Sequence, residues 1–142
     1  MQRLNVNAIS APAALHYQEE VTSTNDLAAT AGREGAAHLT AFTAEIQTKG
    51  RGRHQRAWRT FPYNSIALSV VVHDAPDTLP LVACLSIQKA IENVTGVACA
   101  IKWPNDIKAD GKKMVGILAE SYPLNTSGRF HVLGIGANLN TP

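Results

Sequence analysis

Hydrophobic and polar positions alternate in short runs along much of the chain, and each run predicts an element. From Leu39 to Ile46, Phe42, Ala44 and Ile46 alternate with Ala41, Thr43 and Glu45, the two-residue period of a strand. Ser65 to His73 repeats the pattern, with Ile66, Leu68, Val70 and Val72 on one face. Its other face (Ala67, Ser69, Val71) is also small or apolar, which predicts burial on both sides. Asp77 to Val94 changes to a helical period: Cys84, Ile87, Ile91 and Val94 form a stripe, with Gln88, Lys89, Glu92 and Asn93 facing away. Pro80 suits the first turn of that helix and Gly96 its end.

Val97, Cys99, Ile101 and Trp103 then alternate with Ala98, Ala100 and Lys102 as a strand that Pro104 breaks. Ile107–Ala109 and Lys112–Ser121 read as a hairpin about Asp110-Gly111, with Lys113, Val115 and Ile117 on one face of its second arm. A polar loop at 122–128 leads to a last strand, Arg129 to Gly136. Earlier in the chain, Ser23-Thr24-Asn25-Asp26 opens a short helix through Leu27, Ala28, Ala29 and Ala31. Ser23 with Asp26 predicts a capping box, and Gly32 predicts the helix stop. Residues 1–21 carry little pattern and are expected to be a loop or extended lead-in, with no room for a DNA-binding domain ahead of the core. Together these elements predict a single α+β domain, a central mixed or largely antiparallel sheet backed by helices.

Composition narrows the classes. The chain has 142 residues, 45% hydrophobic and 17% charged, as in ordinary globular domains. A net charge of +2 is too small to argue for nucleic acid, and no apolar stretch has the length of a membrane span. Cys84 and Cys99 lie in apolar surroundings and are expected to be buried free thiols in a reducing compartment, so the cytoplasm is the default location. The five histidines are scattered and read as incidental.

What changes the picture is where the cations cluster. Gln47-Thr48-Lys49-Gly50-Arg51-Gly52-Arg53-His54-Gln55-Arg56-Ala57-Trp58-Arg59 begins at a strand end and threads glycines between cations. Glycine admits close backbone approach, and guanidinium groups suit phosphate or carboxylate oxygens. The spacing fits neither a Walker A loop nor the dinucleotide fingerprint, so a solvated basic turn, a nucleic-acid patch and a small-anion site all remain open. A second group, Lys102-Trp103-Pro104-Asn105-Asp106 with Lys113 after the hairpin turn, places two lysines and one carboxylate at strand ends. Such a set would bracket a triphosphate and Mg²⁺, which is commonly held by one or two carboxylates plus substrate phosphates. Nothing resembles a Ser-His-Asp, HExxH or clustered His/Cys arrangement.

Taken together, Ser23-Thr24-Asn25, the Gln47–Arg53 loop with Trp58, Lys102–Asp106, Lys113–Glu120 and Gly134–Asn140 resemble the biotin protein ligases, in the family's order and across most of the chain. The resemblance implies a fold of the class II aminoacyl-tRNA synthetase and biotin ligase type. It also implies a two-step reaction, in which biotin and MgATP give biotinyl-5′-adenylate and the acyl group passes to a lysine of a carboxylase's biotin carrier domain. By the same resemblance Ser23, Thr24, Asn25 and Gln47 would bind the biotin ureido ring, with Gly50, Arg51 and Gly116 closing that pocket. Arg53 would meet the adenylate phosphate, and Trp58 would pack near the adenine. Lys113 would act at the reacting carboxylate and phosphate, with Lys102 as a second cation. Asp106 would serve Mg²⁺, while Asn105 and Asn138 would lie on the nucleotide side, together with Arg51.

Lys49 departs from the family pattern, which has a small residue there, and the family continues beyond the equivalent of Pro142. The expectation is a C-terminally incomplete catalytic core of the non-repressor class, with the biotin half of its site present. Its rivals are a lipoate or octanoate ligase of the same superfamily and a non-catalytic biotin- or nucleic-acid-binding module. Nucleic acid is not expected as a partner, and a homodimer through a sheet edge stays open.

Overall fold

The computed structural model describes residues 14–140, so the first part of the lead-in lies outside the described residues. Seven strands and two helices follow in the order β1 (Leu15–Val21), α1 (Thr24–Arg33), β2 (Ala41–Gln47), β3 (Ser65–His73), α2 (Leu79–Thr95), β4 (Ala100–Lys102), β5 (Asp106–Ala109), β6 (Lys112–Pro123) and β7 (Arg129–Asn138). They form one sheet in the order β1-β2-β3-β7-β6-β5-β4. Only the β1–β2 pair is parallel and the other described pairs are antiparallel. This is the expected mixed, largely antiparallel α+β architecture.

The two sheet faces carry different cores. On one, Val72, Ile107, Val115, Ile117, Leu133, Ile135 and Ala137 pack with Ala83 and Cys84 of α2. On the other, Val71, Phe130 and Val132 pack with Ala28 and Ala29 of α1. β3 runs over Ser65–His73 as its pattern predicts, and its small face is the more buried one: Ala67, Ser69 and Val71 are buried while Ile66 is exposed.

Several elements differ from the sequence expectation. Leu15–Val21 is a strand, with Val21 its one buried residue, so this edge has no inside–outside alternation to read. The capping box of α1 does not form, because Asp26 and Ser23 both turn to Arg51 instead. Gly32 lies inside α1, where any Cβ would collide with the ring of Phe130; the helix runs on to Arg33, and Gly35 takes the left-handed turn at φ 89°. On α2, Gln88 and Glu92 do not simply face away. Gln88 Nε2 donates to Cys99 O at 2.7 Å and Glu92 Oε1 accepts from Cys99 N at 2.9 Å. With the Cys99 backbone taken by that clamp, β4 covers only Ala100–Lys102, and Val97 and Trp103, outside its two ends, are exposed. Val94, expected on the packing stripe, is 85% exposed, and Cys99 is half-buried rather than buried.

The Asp110-Gly111 turn forms with positive φ at both residues, 49° and 75°. Beyond it the ladder contains a bulge: Ile107 faces Val115 while Lys108 faces Lys113, so Met114 is an extra residue in β6. Lys113 is therefore not on the Val115/Ile117 face. The bulge moves it to the opposite face, beside Gly116.

Candidate ligand and nucleotide site

The register sets out the site as two rows across the α1 face. Lys102 faces Asp106, Asp106 faces Gly116 and Gly116 faces Gly136 in successive ladders. The neighbouring row is Leu118, Gly134 and Ser69. Small residues leave the sheet surface bare here, and the N-terminus of α1 and the Gly/Arg loop rise around it. A cavity of about 450 Å³ results.

Its walls hold most of the residues singled out in the sequence: Ser23, Thr24, Asn25, Gln47, Arg51, Arg53, Trp58, Lys102, Asn105, Asp106, Lys113 and Gly116. Gly50 and Asn138 do not line it. Gly50 carries backbone packing, since its carbonyl accepts from Trp58 N at 2.9 Å and a Cβ would press on Trp58 O. Asn138 Oδ1 accepts from Ser65 Oγ at 2.6 Å, tying the end of β7 to the start of β3. His54, read as incidental, is in the lining, where the loop turns through a short 3-10 segment (Arg53–Gln55).

At the α1 end the chemistry is a buried hydrogen-bonded cluster. Gln47 Oε1 accepts from Thr24 N at 2.9 Å, which satisfies one of the helix-end N–H groups that have no partner within the helix. Thr24 Oγ1 lies 3.1 Å from Gln47 Oε1 and 2.8 Å from Ser69 Oγ, and Ser69 Oγ lies 2.5 Å from Asn25 Oδ1. Asn25 Nδ2 donates to Glu120 Oε2 at 2.7 Å. Arg51 grips the same carboxylate through Nε at 3.1 Å and Nη2 at 2.9 Å, and reaches Asp26 Oδ1 through Nη1 at 2.8 Å. Burial alone would lower the Arg51 value, but its bonds to Glu120 and Asp26 prevail and hold it above the ordinary guanidinium value. Burial likewise works to raise the Glu120 carboxyl, and the bonds from Arg51 and Asn25 outweigh it and hold it below the usual value.

The other end is cationic. Lys113 Nζ stands 2.9 Å from Asp106 Oδ1 and 5.4 Å from the centre of the Trp58 ring. That ring lies flat on the glycine floor: a Cβ on Gly116 would come within 2.9 Å of it, and one on Gly136 would strike it. Trp58 Nε1 is buried without a hydrogen-bond partner, and Asp106 Oδ1, although ion-paired, accepts no hydrogen bond. Arg53 Nη1 donates to Asn105 Oδ1 at 3.3 Å, while Asn105 Nδ2 donates to Ile117 O at 2.9 Å. Sequence reasoning missed Ser69 and Glu120 as members of the site. A buried serine in a strand otherwise lined by branched apolar residues was the available signal for the first; Glu120 gave none beyond closing its motif.

The sequence matches the biotin/lipoate A/B protein ligase family over residues 17–140. The chain belongs to that family. It is 37% identical over 131 residues to the bifunctional ligase/repressor BirA of Bacillus spizizenii, an alignment covering 89% of this chain and 40% of the relative. It is 39% identical over 127 residues to the biotin–[acetyl-CoA-carboxylase] ligase of Mycobacterium tuberculosis, covering 82% and 46%. Among solved structures, the biotin protein ligase of Aquifex aeolicus in complex with biotin and ATP superposes with a TM-score of 0.74 at 33% identity, covering 89% of this chain and 53% of that one. The Leishmania major biotin protein ligase in complex with biotinyl-5-AMP gives 0.74 at 33%, covering 92% and 59%. The chain thus spans 40% to 46% of these two curated family members. Among the described residues no helix is long and apolar enough to cross a membrane.

Proposed function

We propose that this chain is the catalytic core of a biotin protein ligase, activating biotin with ATP and passing it to a lysine of a carboxylase's biotin carrier domain. The observation that carries the reading is a single cavity whose α1 end presents Ser23, Thr24, Asn25 and Gln47, with Arg51 paired to Glu120 and Asp26, and whose β4–β6 end holds Arg53, Lys102 and Lys113. A ligand with a polar, uncharged head and a carboxylate tail meets both ends. A lipoyl or octanoyl chain would leave Ser23, Thr24 and Gln47 unanswered, and unmet buried polar groups oppose binding.

In the first step a biotin carboxylate oxygen attacks the α-phosphorus of ATP and pyrophosphate leaves. Two anions must approach, so fixed cations are the requirement. Lys113, Arg53 and Lys102 meet it, with Lys113 nearest the floor of the cavity. In the second step the carrier lysine amine attacks the acyl carbon and AMP leaves. Asp106 would suit Mg²⁺ once Lys113 Nζ, which stands 2.9 Å from its Oδ1, turns to the substrate's charge, since one carboxylate suffices for an ion that takes other ligands from phosphates. Bound there, the ion would neutralise phosphate charge. Two free cysteines are consistent with work in a reducing cytoplasm.

The test is incubation of the protein with biotin and MgATP, with biotinyl-5′-adenylate and pyrophosphate measured by mass spectrometry and a coupled assay. Adenylate is expected from the parent protein. In Lys113→Ala its rate is expected to fall about a hundredfold or more with little change in melting temperature, since the lysine side chain is 45% exposed. An unchanged rate in Lys113→Ala would remove that lysine from the chemistry. Absence of both adenylate and biotin binding in the parent would sink the proposal.

A further inference from the structure

The cluster at the head of α1 has fewer hydroxyl protons than oxygen–oxygen contacts, and the shortage has a direction. Three such contacts run in series: Asn25 Oδ1 to Ser69 Oγ at 2.5 Å, Ser69 Oγ to Thr24 Oγ1 at 2.8 Å, and Thr24 Oγ1 to Gln47 Oε1 at 3.1 Å. Two hydroxyls supply only two protons, one each.

Both ends of the series are fixed by groups with no choice. Glu120 is an ionised carboxylate and only accepts, so the Asn25 atom 2.7 Å from it is the amide nitrogen and the Asn25 oxygen faces Ser69. The backbone N–H of Thr24 only donates, so the Gln47 atom 2.9 Å from it is the amide oxygen. Two bare oxygens at 2.5 Å would repel strongly, so the Ser69 proton must lie on the contact to Asn25. By the same reasoning the Thr24 proton lies on the 2.8 Å contact to Ser69. The 3.1 Å contact is left without one. Thr24 Oγ1 and Gln47 Oε1 then stand side by side as two acceptors in the pocket lining, calling for a donor from outside the protein.

We propose that Ser69 is a specificity-determining positioning residue: by donating to Asn25 and accepting from Thr24, it makes Thr24 Oγ1 and Gln47 Oε1 a paired acceptor that selects an N–H on the ligand head over a ring oxygen. Glu120 sets the direction of the whole series through Asn25. The inference rests on the biotin reading above and deepens it, because it names which edge of a ureido ring the pocket chooses and why. Neither Ser69 nor Glu120 need touch the ligand's reacting carboxylate to do this.

The experiment compares equilibrium binding of biotin with that of its cyclic carbamate analogues, in which each ureido N–H in turn is replaced by a ring oxygen of nearly the same size. The parent protein is expected to prefer biotin over one of them by about tenfold or more, because an acceptor would face the acceptor pair. In Ser69→Ala the Thr24 hydroxyl is released to donate, so the preference is expected to narrow about tenfold whatever happens to biotin affinity itself. Glu120→Gln is the second variant. It keeps the size of the side chain and lets Asn25 turn over, so the series can reverse and the preference narrows likewise. A merely structural role would weaken all ligands together and leave the ratio alone. Thermal melting identifies any variant that has not folded. A parent that binds biotin without preference, or folded variants that keep the parent ratio within about twofold, would overturn the proposal while leaving the biotin reading in place. A parent that binds neither biotin nor its analogues would overturn both.

Discussion

Glu120 holds Asn25, Arg51 and Tyr122 on two oxygens, and through them the helix end and the Gly/Arg loop. Because its folded carboxyl titrates below the ordinary carboxylate value, the stabilisation it contributes is fully present above that range. It is lost as the pH falls through the depressed folded value. Denaturation curves taken from about pH 7 down to about pH 3 should show stability falling on the acid side, and Glu120→Gln should flatten that fall. Parallel profiles for parent and variant would show that the acid limb belongs to other carboxylates. Arg51, with its 19% exposed side chain spent on two carboxylates, is a fixed strut in this arrangement, whereas Arg53 has one neutral partner and more freedom to meet an anion.

Among the elements, the β5–β6 hairpin decides most. A strand alternates with strict parity, so the extra Met114 exchanges the face of every residue between it and the turn. Inserting one residue between Ile107 and Lys108, to pair with Met114, should remove the bulge and return Lys113 to the α2 face beside Val115. Adenylate formation should then be lost together with some stability, whereas Met114→Ala should keep the former. Retained activity in the insertion variant would show that another cation can replace Lys113. The bulge also explains what was legible in the chain. β3 and the Asp110-Gly111 turn could be read directly, because alternation and left-handed turn chemistry are local. Lys113 could be identified as a member of the site but not placed on its face, since a bulge is a property of pairing. β1 could not be read, because an edge with one buried residue leaves no period. The capping box failed for a similar reason: Asp26 and Ser23 found a distant guanidinium that no local pattern contains.

At the scale of the whole molecule, the sheet separates two cores, and the one under α1 also supports the site. Phe130 is fully buried, lies beneath Gly32 and belongs to the cluster holding Ala28 and Ala29. Phe130→Ala should cost about 3–5 kcal/mol and raise the KM for biotin as α1 loses its seat. A loss below about 1 kcal/mol in urea denaturation would mean that α1 docks through other contacts. The opposite core, under α2, should be the better place to alter stability without touching ligand selection. The floor of the cavity has a consequence of its own. At Gly116, Gly134 and Gly136 the surface is main chain, with Trp58 and Asn25 already against it. Every substitution there adds atoms and none removes any. Those atoms would meet Trp58 or Asn25 before any ligand, so the floor is the part of the site least free to change. The site's shape can alter only through a wall, at Leu118, Ser69 or the loop that carries Trp58.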